Sequence, residues 1–189
     1  MEVLTKHELR LRKKEIVDKV RQGAVFIHPT DTIYGLGCNA LDEKAVKEIR
    51  KLKDRQDTPF SVWIPSKDWL KDNCGHTPAC DKWLKELPGP YTLITKLTDK
   101  KSIAPNVPNA KDDTVGVRMP DHWMQELVEE LGVPIVTTSA NKTGKEFMTS
   151  LENLDPEIKR GVKFIIYEGE KKARPSRLVN LADEKVTER

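Results

Sequence analysis

The stretch Ala24-Val25-Phe26-Ile27-His28-Pro29-Thr30-Asp31-Thr32-Ile33-Tyr34-Gly35-Leu36-Gly37 decides how the chain is read. Residues 24–28 form a short β-favouring apolar run between Gly23 and Pro29, which reads as a buried strand. The run then opens into Thr30, Asp31 and Thr32, with Gly35 and Gly37 just beyond. Two readings stand for this change. One is a ligand edge at a strand end, with glycines where another group approaches the backbone closely. The other is a strand-to-turn junction in which Thr and Asp side chains bond their own backbone.

Upstream, Thr5-Lys6-His7-Glu8 fits a capping box and Gly23 a stop, so a helix is expected between them, with Leu9, Ile16, Val17 and Val20 as its apolar stripe. Downstream, a helix is expected from about Asp42, burying Ala45, Val46, Ile49 and Leu52 and running out at 53–55 before Pro59. Strands are expected at 60–64, 91–97, 115–119, 135–138, 164–167 and 178–181. Short helices are expected from Ser66, from Thr77-Pro78, over about 122–131 with Gly132 as its cap, and from Asp155-Pro156 to Gly161. The stretch 98–113, with scattered prolines, asparagines and charges and little periodicity, reads as a mobile lid. Strands and helices alternate, yet several connections are too short for right-handed crossovers, so the expected fold is α/β, one domain over 1–189, with a mixed sheet flanked by helices.

A chain of 189 residues with 37% hydrophobic and 33% charged residues suits one soluble domain. No apolar run reaches the length of a membrane span, and the N-terminus lacks a signal-peptide core. Cys38, Cys74 and Cys80 are odd in number and widely spaced, which argues against a disulfide framework and makes the cytoplasm the expected location. A net charge of +3 is too balanced to demand a nucleic-acid partner. Two basic clusters, Arg50/Lys51/Lys53/Arg55 and Lys171/Lys172/Arg174/Arg177, read either as solvated faces or as anion-binding surface.

Three further segments end an apolar run in polar groups. Lys53-Asp54-Arg55 sets two cations at a helix end, and Arg118 interrupts the apolar strand around it. Ser139 and Asn141 follow a strand, beside Thr137 and Thr138. Ligands gather at strand ends in open α/β sheets, and cations with hydroxyl and amide donors suit phosphates and carboxylates. A guanidinium in a half-buried strand needs a partner, which is usually a protein carboxylate and otherwise a ligand's. There is no G-x-x-x-x-G-K-[ST] loop and no G-x-G-x-x-G fingerprint. Cys74, His76 and Cys80 lack a second pair at zinc spacing and read as structural.

PTDTIYGLG, the K-x-R of Lys53 and Arg55, PGPYT at 88–92, TVGVRMPDH at 114–122 and the S-x-N of Ser139 and Asn141 occur in that order. Together they resemble the YrdC-type threonylcarbamoyl-AMP synthase family, from about Gly23 to about Asn180. The resemblance implies a twisted α/β domain with a concave, positively charged face. It also implies a reaction in which threonine and bicarbonate form a carbamate that attacks the α-phosphate of ATP, which carries Mg²⁺. The products are threonylcarbamoyl-AMP and pyrophosphate, and a separate transferase then passes the group to an adenosine next to the anticodon of tRNA.

By the same resemblance Lys53 and Arg55 are the catalytic clamp on the phosphates and the carbamate. Thr32, Arg118, Thr137 and Ser176 bind threonine, and Ser139, Asn141 and Arg189 join the clamp on ATP. Several positions depart from the family pattern: Gln56 stands where many members have proline, and Trp63 where many have a threonine-contacting histidine. The late Ser-Thr pair is Ser176-Arg177 here, and Arg189 is the residue nearest to a family arginine. The chain is expected to end before the C-terminal domain some relatives carry. Two alternatives remain, a YciO-like paralogue without the synthase reaction and an RNA-binding module whose concave face contacts tRNA or double-stranded RNA.

Overall fold

The structure, a computed structural model, describes residues 1–55 and 58–188. Its elements run β1 (Glu2–Leu4), α1 (Lys6–Leu11), α2 (Lys13–Arg21), β2 (Phe26–His28), β3 (Gly35–Asn39), α3 (Glu43–Lys53), β4 (Ser61–Trp63), α4 (Lys67–Asn73) and α5 (Pro78–Leu84). They continue with β5 (Tyr91–Lys96), β6 (Thr114–Arg118), α6 (Gln125–Leu131), β7 (Ile135–Ser139), α7 (Pro156–Gly161), β8 (Phe164–Ile166), β9 (Arg177–Asn180) and β10 (Lys185–Thr187). The strands make one sheet in the order β1-β8-β2-β3-β7-β4-β6-β5-β9-β10. Parallel pairs (β1/β8, β2/β8, β4/β6, β5/β9) mix with antiparallel ones, as the short connections require.

Side chains set most helix starts. The Thr5 hydroxyl and Glu8 carboxylate close a capping box at α1, and Asp42, Ser66, Thr77 and Asp155 accept backbone N–H groups at α3, α4, α5 and α7. Gly132 ends α6 at φ 74°, where a Cβ would be strained. The single helix expected between Thr5 and Gly23 is two, because the chain leaves helical geometry at Arg12 (φ −112°, ψ 21°), whose guanidinium pairs with Glu2 and Glu15. No glycine or proline marks that break. β1, β3 and β10 are strands beyond those expected.

Alternation along each strand sorts side chains to two faces. Ile27, Leu36, Val62, Val117 and Val136 share a core with Val46 and Ile49 of α3, Leu70 of α4, Leu84 of α5 and Ile158 of α7. On the other face Phe26, Trp63, Ile135 and Phe164 share a second core with Leu9, Ile16 and Val20 of α1 and α2 and Leu127 and Leu131 of α6. Each such buried side chain contributes about 1.5–3 kcal/mol to holding the helices on the sheet. Along β7 and β4 this second face changes character. Ile135 and Trp63 lie under α6, and their same-face neighbours are Thr137, Ser139 and Ser61.

The stretch 98–113 is pinned rather than lid-like. Ile103, Ala104 and Val107 are buried, Ala104 N donates to Ala40 O (2.7 Å), and Phe60 N donates to Val107 O (3.0 Å). Its few apolar side chains are spaced irregularly, which hid this anchoring from periodicity.

Candidate functional site

The polar half of that second face is the floor of a cavity of about 340 Å³. Register assembles it: Gly35 lies opposite Ser139, Thr137 opposite Ser61, Ser61 opposite Gly116, and Gly116 opposite Ile94. Small residues are a spatial requirement here. A Cβ on Gly116 would stand 2.6 Å from Ser61 Oγ and 2.9 Å from Thr92 Cγ2. Arg55, Phe60, Arg118, Phe147 and Ser176 complete the walls.

The corner between β2 and β3 satisfies both readings of residues 29–37 at once. Thr30 Oγ1 accepts from Thr32 N (3.1 Å) and Ile33 N (3.2 Å) and donates to Ile33 O (2.8 Å). Thr30, Ile33, Tyr34 and Gly35 also line the cavity. Tyr34 fastens a distant strap to this corner, its hydroxyl donating to Gly169 O (2.6 Å) and accepting from Glu168 N (3.0 Å). Burial works to raise the Glu168 carboxyl, yet hydrogen bonds from His122, Lys171 and Trp123 hold it down to about 2.

Arg118 has the protein carboxylate that its burial calls for. Its Nη2 donates to Asp31 Oδ1 (3.0 Å) and to Thr32 Oγ1 (3.3 Å), and Asp31 Oδ2 accepts from Asp121 N (3.2 Å). The side chains of the pair are 8% and 10% exposed, so removing one partner would strand a desolvated charge at a cost of about 3–5 kcal/mol. Thr32 thus stands behind Arg118, while Arg118 itself faces the cavity.

Lys53, the last residue of α3, is 2% exposed and turns its ammonium inward. Nζ donates to Ser139 O (2.6 Å), Asn141 O (2.8 Å) and Asn141 Oδ1 (3.0 Å). Its own carbonyl accepts from Thr143 N and Thr143 Oγ1, both at 2.9 Å, so the end of α3 is joined to the loop after β7 from both directions. Burial, with the Arg55 charge behind it, pushes the ammonium down to about 7. Ser139 Oγ donates to Asn141 Oδ1 (2.6 Å), and Asn141 Nδ2 donates to Lys145 O (2.6 Å). Arg55 Nη2 donates to Pro59 O (2.8 Å), and its guanidinium lies 5.2 Å from the Phe60 ring centroid.

Of the residues singled out in the sequence, Arg55, Arg118, Thr137, Ser139 and Ser176 line the cavity together. Lys53 and Asn141 lie behind Ser139, and Thr32 behind Arg118. Arg189 and Gln56 lie outside the described residues. Thr30, expected at a ligand edge, lines the cavity, and Ser61, Thr92, Thr114 and Phe147 line it without having been singled out in the sequence. Thr92 stood inside the PGPYT motif, and its hydroxyl shares a 2.7 Å hydrogen bond with Ser176 Oγ. Trp63 is fully buried in the α6-side core and donates from Nε1 to Gln125 Oε1 (2.6 Å). Cys74 and Cys80 are buried in the core on the opposite face of the sheet.

Fold and site together define a class, a mixed-sheet α/β protein with a guanidinium-flanked polar cavity on one sheet face. The chain belongs to the Sua5/YciO/YrdC family, whose model, described as telomere recombination, matches residues 18–188. A Methanocaldococcus jannaschii relative, provisionally named a threonylcarbamoyl-AMP synthase, is 35% identical over 185 residues, covering 96% of this chain and 84% of its own. The Pyrococcus abyssi threonylcarbamoyl-AMP synthase is 37% identical over 155 residues, 80% of this chain and 45% of its own. The crystal structure of P. abyssi Sua5 complexed with L-threonine superposes with a TM-score of 0.83 at 31% identity, covering 96% of this chain and 54% of that one. The chain therefore spans about half the length of the P. abyssi protein. Escherichia coli YciO is 30% identical over 174 residues, 90% of this chain and 84% of its own, and its crystal structure shares the fold with a TM-score of 0.85. No helix among the described residues is long and apolar enough to cross a membrane.

Proposed function

We propose that the chain is a threonylcarbamoyl-AMP synthase. The observation that carries the reading is the convergence of Arg55 and Arg118 on one cavity floored by hydroxyls and glycines. Joining a carbamate to a nucleotide needs no protein nucleophile. It needs two anions held together and their charge neutralised, so positioning and electrostatics supply the catalysis. The neutral amine of threonine and bicarbonate give a carbamate with loss of water, and a carbamate oxygen attacks the α-phosphorus of ATP. The bond to the bridging oxygen of pyrophosphate breaks, and pyrophosphate leaves.

In this reading Arg118, aligned by Asp31 and by Thr32 behind it, takes the threonine carboxylate, with Thr137 and Ser176 as hydroxyl partners. Arg55 lies on the phosphates. Lys53 puts its charge beneath them and holds Ser139 and Asn141 for the nucleotide, and Arg189 is assigned to ATP binding. Mg²⁺ would arrive on the oxygens of ATP, since the described residues gather no group of three His, Cys, Asp or Glu able to hold a metal. The product suits a second enzyme that moves the threonylcarbamoyl group to a tRNA adenosine. Direct contact with RNA would be a secondary property, falling steeply with salt.

Arg55→Ala and Lys53→Ala are expected to lower turnover by about 100-fold or more, with circular dichroism confirming the fold. Retained activity in both removes the clamp. The second reading is a YciO-like paralogue without the synthase reaction, the chain being similar to YciO over nine-tenths of its length. ATP binding without pyrophosphate release would select it.

A further inference from the structure

Arg50 belongs to the basic cluster beside the K-x-R motif, and the proposed reaction leaves it unused. The structure gives it specific work. Nε (3.2 Å) and Nη2 (2.6 Å) both donate to Asn106 O, forming a fork on one carbonyl. Nη1 donates to Thr58 O (3.1 Å) and to Arg55 O (3.4 Å). The same guanidinium lies 4.5 Å from the centroid of Phe60, the ring that Arg55 approaches at 5.2 Å. Phe60 is 1% exposed and lines the cavity, so it is a fixed surface for both cations. A planar guanidinium suits this job, because it stacks flat on a ring while donating a fork of hydrogen bonds in its own plane, which a compact ammonium cannot do at once. Asn106 is itself tied back to α3, its Nδ2 donating to Glu43 O (3.1 Å).

We propose that Arg50 is a positioning residue for Arg55, holding the backbone at Arg55 and Thr58 and sharing the Phe60 ring so that the Arg55 guanidinium stays aimed at the phosphates of ATP. The inference rests on the proposed role of Arg55 and adds a residue that touches no substrate.

Calorimetric affinities of the full chain for ATP and for threonine test it in Arg50→Ala, Arg50→Lys, Arg55→Ala and the Arg50→Ala/Arg55→Ala double variant. Displacing a binding group slightly is costly, so Arg50→Ala should weaken ATP by about 10- to 100-fold and leave threonine unchanged. Arg50→Lys should fail to restore ATP affinity. In the Arg55→Ala background, Arg50→Ala should cost nothing further, because its effect passes through Arg55. Equal losses for ATP and threonine, rescue by lysine, or an additive double variant would each overturn the proposal. Unchanged ATP affinity in Arg55→Ala would instead refute the role given to Arg55, and a wild-type chain that binds no ATP would refute the site's reading altogether; the inference falls in either case.

Discussion

Lys53 shows how a residue in a recognisable motif does more than the motif states. Its ammonium already holds three oxygens of Ser139 and Asn141, and burial has pushed it down to about 7. A phosphate beside it favours the charged form, so its proton affinity rises on binding. Above pH 7, ATP binding should therefore take up protons and weaken as pH rises. Calorimetry in buffers of different ionisation heat reads this directly, and an uptake of zero at pH 8 would exclude Lys53 from the phosphates. His28 makes a stability prediction. It is fully buried and packs against Gly35 and Gly37, where a Cβ would meet its ring at 2.8–2.9 Å; burial pushes it down to about 3. Its folded value lies below the ordinary one near 6.5, so stability is present above pH 6.5 and is lost as pH falls towards 3. The loss by pH 5 should be about 2 kcal/mol in urea unfolding, and His28→Phe should lessen it. Arg118 was legible from sequence because a guanidinium in an apolar strand stands out. Ser61 and Thr92 were not, since a hydroxyl residue in a strand looks the same on either face until the register is known.

Helices were more legible than strands because their caps are local chemistry. Thr5, Asp42, Ser66, Thr77 and Asp155 all cap where their residue types suggest. β1 and β10 are three-residue edge strands with too little sequence to show a period, and β3 is rich in glycine. The stretch 98–113 is the element whose character changed most, from expected lid to anchored segment. If it is anchored, Ile103→Ala should destabilise the chain by about 2–5 kcal/mol, read as a lower denaturation midpoint with an unchanged slope. A segment that swings free of the core would lose almost nothing.

At the scale of the molecule, strand order makes the site. β3, β7, β4, β6, β5 and β9 lie side by side, so Gly35, Ser139, Ser61, Arg118, Thr92 and Ser176, distant in sequence, meet on one face. Alternation, cap signals and short connections were enough for a mixed α/β sheet, but they did not specify that order. The ordered motifs pointed to Arg55, Arg118 and Ser139 without that order, and the family membership explains why they occur together. The proposed work of this cavity is to join a threonine-derived carbamate to AMP. The most direct test is pyrophosphate release from ATP by the full chain, with threonine and bicarbonate each omitted in turn. Release is expected to require both. Folded protein that releases none with both present, or releases it equally without threonine, would contradict it.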